Sequence, residues 1–148
     1  MKPGYPNFFG SKIVIVEDDL PTLSYYQAIF IDTHANIVIL KTGQEFLDYI
    51  GSAHGNNIDI VIMDYLIPIV NGIDCVRIFR KKNKNTPVIM LTAYASEQTK
   101  AEAFVAGCNE YILKPIYPAK IFFLLKKYLS KTYETDLSKK HPGRENSI

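Results

Sequence analysis

Several residue types that mark special classes of protein are scarce in this chain. Its 148 residues include no tryptophan, two cysteines and three histidines. Cys75 and Cys108 lie far apart and outside any metal-binding or redox spacing, so we interpret each as a small buried hydrophobic residue. This use of cysteine fits a reducing compartment. The histidines are scattered without a partner at metal-ligand spacing, and no histidine-based metal site is predicted.

A strong charge of one sign and long apolar runs are missing too. The 17 Lys and Arg residues against 15 Asp and Glu give a net charge of +2, whereas nucleic-acid-binding domains usually carry a larger basic excess. No apolar run approaches the roughly 20 residues that cross a bilayer. Prolines and glycines at positions 3, 4, 6 and 10 interrupt any signal-peptide core. We therefore expect a cytoplasmic protein that binds neither nucleic acid nor a membrane directly.

The chain does contain an alternation of short apolar runs with amphipathic stretches. Its length predicts one domain with a self-sufficient core. Runs that are apolar at successive positions are typical of strands covered on both faces. Five such runs occur, over residues 12–16, 36–40, 58–63, 87–91 and 110–113. We interpret residues 1–11 as an N-terminal lead, residues 12–130 as the folded domain, and the polar residues 131–148 as a mobile C-terminal tail.

Helix signals separate the apolar runs. Pro21 suits a first helical turn, and Thr42 with Glu45 three positions later is typical of a capping box. Ser96 can cap a helix that ends at Gly107. Further helices are predicted from apolar spacing over residues 73–79 and after residue 118. Five strands alternating with five helices imply right-handed βαβ units and an α/β fold with a doubly wound parallel sheet.

Polar side chains follow the carboxyl ends of four predicted strands, which meet at one rim of such a sheet. They are Glu17, Asp18 and Asp19 after the first strand, Asp64 after the third, Thr92 after the fourth and Lys114 after the fifth. Clustered carboxylates repel one another, and a hard divalent cation such as Mg²⁺ offsets that repulsion. A carboxylate can accept a phosphoryl group, and an ammonium and a hydroxyl can neutralise and position it. The rim therefore predicts phosphoryl transfer to a carboxylate, with Asp19 interpreted as a helix cap.

In order and spacing, these segments resemble the receiver domain of two-component response regulators. The matching segments are IVIVEDD at 13–19, VIMDYLIP at 61–68 with Gly72, LTA at 91–93 and YILKP at 111–115. The resemblance runs from about Lys12 to Leu129. It implies a flavodoxin-like sheet with strand order 2-1-3-4-5 and five flanking helices. It also implies a phosphorelay function, in which an aspartate accepts a phosphoryl group from a histidine kinase or histidine phosphotransfer protein.

The resemblance implies a role for each matching acidic position. Asp64 matches the phosphoacceptor. Asp18 matches a direct Mg²⁺ ligand and Glu17 a ligand through water, while Asp64 and the backbone carbonyl of Leu66 complete the set. Glu17 replaces the commoner aspartate and keeps the charge.

The remaining matches concern the conformational switch. Thr92 matches the switch hydroxyl, Tyr111 the aromatic switch, and Lys114 the lysine that contacts the phosphoryl group, followed by a cis proline position. Leu66 and Tyr94 flank the approach of the water that would hydrolyse the aspartyl phosphate. Leu66 cannot hydrogen-bond to that water, and we expect the Tyr94 ring to shield the phosphoryl group. The downstream protein target is expected at the face formed by strand 4, helix 4 and strand 5, and a dimer is one candidate state of the phosphorylated form.

Two other functions stay open at this point. A degenerate receiver would act as an interaction module without phosphorylation, although the acids, the threonine and the lysine are all present. A phosphatase of the haloacid dehalogenase type would need an aspartate two residues after the nucleophile, where this chain has Leu66. No metabolic enzyme is expected. No output region is recognised after Leu129, which leaves a single-domain regulator or a piece of a larger protein. Met1 and the untagged end at Ile148 favour the single-domain regulator.

Overall fold

A five-stranded parallel sheet with helices on both faces forms the fold. The computed structural model describes residues 5–94 and 96–140. The elements are β1 (Lys12–Val16), α1 (Leu20–Phe30), β2 (Asn36–Leu40), α2 (Gly43–Gly51), β3 (Ile60–Met63), α3 (Gly72–Phe79), β4 (Val88–Thr92), α4 (Glu97–Ala106), β5 (Glu110–Leu113) and α5 (Pro118–Lys140), with a 3-10 turn at Ala53–Gly55. The strand order is β2-β1-β3-β4-β5, and every pairing is parallel. The predicted doubly wound fold is confirmed.

The central strands are apolar at successive positions because their alternate side chains enter two separate cores. In β1, Val14 and Val16 face the core that α2, α3 and α4 cover, whereas Ile13 and Ile15 face the core under α1 and α5. β3 and β4 alternate in the same way. All four of these β1 side chains are at most 1% exposed. Burial on both faces fixes the register of the sheet and therefore the positions at which its strands end.

Helix caps place the first residues of α1, α2 and α4 where the sequence predicted them. Asp19 accepts a hydrogen bond from the Thr22 amide at 3.0 Å and caps α1. Ser96 and Thr42 cap α4 and α2 in the same way. Gly107 ends α4 with φ at 119°, a left-handed conformation that favours glycine. These caps define the loops between strand ends and helices, where the polar residues of the rim lie.

Three elements have boundaries that differ from the sequence prediction. β3 begins at Ile60 rather than at residue 58, and β4 runs to Thr92 after starting one residue later than predicted. Pro87 stays outside β4 because it lacks an N–H, although its carbonyl still accepts a bond from the Val61 amide at 3.0 Å. α5 continues to Lys140, into the predicted tail, because residues 131–140 contain neither glycine nor proline.

The N-terminal lead packs against the domain from residue 5 onward. The amide of Phe8 donates to the Thr33 carbonyl at 2.7 Å, and the Tyr5 hydroxyl donates to the Ile29 carbonyl at 2.7 Å. The rings of Tyr5 and Phe8 both contact Phe122 of α5, with centroid distances of 5.5 Å for Tyr5 and 6.2 Å for Phe8. The outer parts of the predicted lead and tail, residues 1–4 and 141–148, lie outside the described residues, and the division at 11/12 and 130/131 stays a prediction.

Both cysteines occupy the core. Cys75 and Cys108 are buried and unpaired, and burial raises the pKa of each thiol to about 12. They are therefore inert fillers at neutral pH, as the sequence predicted. Among the described residues, no helix has the length together with the apolar character that crossing a bilayer requires.

Candidate functional site

The register of the sheet brings the predicted polar residues to one rim. Val16 of β1 lies opposite Met63 of β3, so that Glu17 and Asp64 leave the sheet side by side. Thr92 ends β4 opposite Leu113, and Lys114 follows β5 directly. Carboxylate oxygens of Glu17, Asp18 and Asp64 lie within 4.8 Å of one another.

A close backbone approach holds the loop after β3 against this rim. The Gly72 amide donates to the Tyr65 carbonyl at 2.8 Å. A Cβ atom on Gly72 would lie 2.1 Å from the carbonyl oxygen of Asp64, which no side chain tolerates. Glycine at this position therefore lets α3 begin directly beside the candidate phosphoacceptor.

Lys114 bridges two of the three carboxylates. Its ammonium donates to Glu17 Oε2 at 2.5 Å and to Asp64 Oδ2 at 3.2 Å. Burial raises the pKa of Glu17 above its ordinary value, and the hydrogen bond from Lys114 offsets only part of that effect. Burial alone lowers the pKa of Lys114, but the bond to Glu17 and the charge of Asp64 outweigh it and raise that pKa. Lys114 therefore stays cationic at neutral pH.

Asp64 has one oxygen that the protein leaves without a donor. The residue is 9% exposed, and its Oδ2 receives the bond from Lys114. Its Oδ1 is buried and has no hydrogen-bond partner, which is an unfavourable environment for a carboxylate oxygen. With three carboxylates against one ammonium, the rim carries a formal excess of two negative charges. An all-oxygen site with that charge fits a divalent hard cation.

Asp18 and Asp19 have different surroundings although they are adjacent. Asp18 is exposed at the rim and belongs to the acidic cluster. The Asp19 carboxylate accepts bonds from the Thr22 hydroxyl at 2.6 Å and the Thr22 amide at 3.0 Å. These bonds lower the pKa of Asp19. Its carboxylate thus serves α1, as predicted, and Asp18 is the acid that completes the cluster.

The predicted switch residues are connected through the loop after β4. Thr92 is buried, and its hydroxyl oxygen accepts a bond from the Tyr94 amide at 3.2 Å. The hydroxyl of half-buried Tyr111 donates to the Tyr94 carbonyl at 2.6 Å. Within the described part of the chain, no hydrogen bond joins Thr92 to Asp64. The peptide bond between Lys114 and Pro115 is cis, as the resemblance implies.

The two residues expected to flank the water approach both lie at the surface of the rim. Leu66 is 59% exposed and Tyr94 is 44% exposed. The ring of Tyr94 packs on the ring of Tyr65, with centroids 5.6 Å apart. No role for Tyr65 is predicted from the sequence. The two rings lie on loops that are far apart in the chain, and neither loop has a pattern that indicates their contact.

Comparisons with known proteins all find similarity to proteins of two-component signalling. The family model for the response regulator receiver domain matches residues 13–126. The hybrid signal transduction histidine kinase M of Dictyostelium discoideum is 32% identical over 120 residues, covering 78% of this chain and 5% of that protein. The transcriptional regulatory protein SrrA of Staphylococcus aureus is 28% identical over 139 residues, covering 93% of this chain and 56% of that protein. The chain thus spans only part of the length of the curated relatives that it matches.

Solved structures agree with this assignment. The CheX–CheY–BeF3–Mg²⁺ complex of Borrelia burgdorferi has a chain 29% identical to this one, with a TM-score of 0.73 over 86% of this chain and 97% of that chain. The family is one of signalling domains rather than of metabolic enzymes, and the two alternative functions are not favoured. Since the family model covers the sheet, the helices and the rim, the chain belongs to the response regulator receiver domains.

Proposed function

We propose that this chain is the phosphoacceptor of a two-component or phosphorelay system, with Asp64 as the residue that receives the phosphoryl group. The observation that carries the proposal is the state of the Asp64 carboxylate. The Lys114 ammonium donates a hydrogen bond to Asp64 Oδ2. Asp64 Oδ1 is buried without a hydrogen-bond donor, and the carboxylates of Glu17 and Asp18 lie close to that of Asp64 in the same cluster. A structural ion pair would not need two uncompensated negative charges at a rim.

Glu17, Asp18, Asp64 and the backbone carbonyl of Leu66 would hold Mg²⁺ at this rim. The bound ion would offset the repulsion among the carboxylates and the incoming phosphoryl oxygens. The presence of Mg²⁺ and BeF3 in the similar complex from Borrelia burgdorferi supports this part of the proposal.

The transfer step follows from the positions of the side chains. An Asp64 oxygen attacks the phosphorus of a phosphohistidine, the new P–O bond forms, and the P–N bond breaks as the imidazole leaves. Lys114 neutralises charge on the phosphoryl oxygens, and the Thr92 hydroxyl donates to one of them. An apolar recess of about 480 Å³ lies beside Lys114 and is lined in part by Tyr25 and Ile116, and we propose that the donor protein approaches the rim there. The donor is a histidine kinase or histidine phosphotransfer protein, and we expect this chain in the cytoplasm.

The proposal is tested by measuring the intact mass after incubation with acetyl phosphate. With Mg²⁺ we expect one added phosphoryl group, and with a chelator none. Asp64→Asn should gain no mass. Asp48→Asn, which changes an exposed aspartate of α2, should label like the wild type. Full labelling of the Asp64 variant would overturn the assignment.

Phosphorylation is expected to move the segment from β4 to β5. A charge of about −1.5 to −2 on Asp64 strengthens the bond that the Thr92 hydroxyl can donate. Thr92 should then move toward Asp64, and Tyr111 should turn inward into the space that Thr92 vacates. The backbone of Tyr94 links the two residues, because its amide is bonded to the Thr92 hydroxyl and its carbonyl to the Tyr111 hydroxyl. Amide NMR shifts should extend through residues 93–111. Shifts confined to the loop around Asp64 would contradict this coupling.

The moving segment also forms the surface that we assign to the downstream target. α4 and β5 expose apolar side chains, with Val105 at 89%, Leu113 at 48% and Phe104 at 43%. A groove of about 440 Å³ lies between α4 and β5 and is lined by Tyr111. A change in the orientation of the Tyr111 side chain therefore alters a surface to which a partner protein, or a second copy of this chain in a phosphorylated dimer, can bind.

The lifetime of the aspartyl phosphate should depend on the side chains at positions 66 and 94. Leu66 cannot orient a water molecule, and the Tyr94 ring shields the approach. We expect the double variant Leu66→Asn, Tyr94→Glu to lose phosphate about tenfold faster, which corresponds to about 1.4 kcal/mol of barrier. The decay of the phosphorylated mass with time measures this. An unchanged decay would show that these side chains do not control the water.

A further inference from the structure

Tyr94 makes two backbone hydrogen bonds and one aromatic side-chain contact within the described residues. Its amide donates to Thr92 Oγ1 at 3.2 Å, and its carbonyl accepts from the Tyr111 hydroxyl at 2.6 Å. Its ring meets the ring of Tyr65 at 5.6 Å between centroids, with an interplanar angle of 50°. The backbone bonds place the loop, and the aromatic contact found for the Tyr94 ring among the described residues is the one with Tyr65.

Tyr65 is the more rigid member of this pair. It follows Asp64 directly, and its carbonyl accepts bonds from the amides of Gly72 at 2.8 Å and Ile67 at 3.2 Å. Its half-buried side chain packs against the core that α2, α3 and α4 cover. The Tyr94 ring, by contrast, is 44% exposed on the loop after β4. The contact therefore packs the Tyr94 ring, which lies on an exposed loop, against the Tyr65 ring, which lies next to the candidate phosphoacceptor.

We propose that Tyr65 is a positioning residue that prolongs the lifetime of the aspartyl phosphate by holding the Tyr94 ring at the rim, where it limits the approach of water to Asp64. The inference rests on the proposed function of Asp64 and adds a residue outside the metal-binding and phosphoryl-binding set. Without the Tyr65 ring, the Tyr94 side chain is free to turn toward solvent, and water reaches the phosphorus more often. The ring rather than the hydroxyl carries the effect, since no hydrogen bond of the Tyr65 hydroxyl is found within the described residues.

The effect is measured as the rate of phosphate loss in a double-mutant cycle. Tyr65→Leu, Tyr94→Ala and the double variant are phosphorylated with acetyl phosphate and Mg²⁺, and the decay of the phosphorylated mass is followed. We expect Tyr65→Leu to speed phosphate loss about threefold, within the range of a single aromatic pair. In the Tyr94→Ala background the same change should have no effect, because the ring that Tyr65 holds is gone.

Two further variants separate positioning from folding. Tyr65→Phe keeps the ring and should decay like the wild type, whereas Tyr117→Leu, at a tyrosine that is 76% exposed after β5, controls for the loss of any aromatic residue. If Tyr65→Leu fails to fold, Tyr65→Met replaces it in the cycle. An equal acceleration in both Tyr94 backgrounds, or no acceleration in either, would overturn the inference. Failure of the wild type to gain the phosphoryl group would instead overturn the proposed function.

Discussion

Asp18→Ala is expected to weaken Mg²⁺ binding at least tenfold, whereas Asp19→Ala should leave it near the wild-type value. Asp18 is the exposed member of the acidic cluster, and its loss would remove one of the three carboxylates that we propose as ligands of the ion. The Asp19 carboxylate is occupied by the Thr22 amide and hydroxyl. Titration calorimetry with MgCl₂ compares the two affinities, and labelling by acetyl phosphate should fall in parallel with them.

Asp19→Ala is a matched control because it carries its own expected effect. Losing the cap of α1 should lower the free energy of unfolding, which urea denaturation measures. Asp18→Ala should show no such loss, since its removal relieves repulsion among the acids. Equal losses of Mg²⁺ affinity in the two variants would mean that the acidic pair has been assigned wrongly.

The second large effect concerns Lys114. Lys114→Met should lower the free energy of unfolding by about 3 kcal/mol in the presence of a chelator, because Glu17 and Asp64 lose the cation between them while staying mostly buried. Part of that stability should return when Mg²⁺ is added, since the ion offsets the same charges and binding to the folded state stabilises it. Labelling should nevertheless stay low, because the phosphoryl oxygens have lost their ammonium partner.

Lys127→Met provides the comparison for Lys114. Lys127 forms an ion pair with Glu110 at 3.1 Å on the surface, and exposed pairs contribute little to stability because water and salt screen them. That variant should bind Mg²⁺ and label normally. If Lys114→Met were as stable as Lys127→Met and as readily labelled, the bridge between Glu17 and Asp64 would have no role in either folding or transfer.

The meeting of the polar residues at one rim was predictable because it depends on local sequence patterns. Each buried strand is a short run of apolar residues, parallel strands end at one edge, and the first polar residue after each run therefore lies at that edge. The caps at Asp19 and Ser96 followed from residue type alone. The distances within the rim were not predictable in this way. That Lys114 bridges Glu17 and Asp64, leaving Asp64 Oδ1 unpartnered, depends on how three loops pack.

The sequence prediction was least accurate where local signals are weak or contacts are distant. α5 continues past residue 130 because polarity does not prevent a helix when no breaker intervenes. The contact between Tyr65 and Tyr94 joins loops after two different strands, and neither loop has a periodic pattern from which it could be inferred. Tertiary packing determined both features.

The central claim, that Asp64 forms the acyl phosphate, is tested most directly by locating that bond chemically. Borohydride reduces an aspartyl phosphate to homoserine and leaves free aspartate unchanged. Tryptic peptide 42–77 contains four aspartates, at positions 48, 59, 64 and 74, so tandem mass spectrometry of the labelled and reduced protein compares them within one fragment. We predict homoserine at position 64 alone, and only when Mg²⁺ was present. Homoserine at any other aspartate, with position 64 unmodified, would contradict the account.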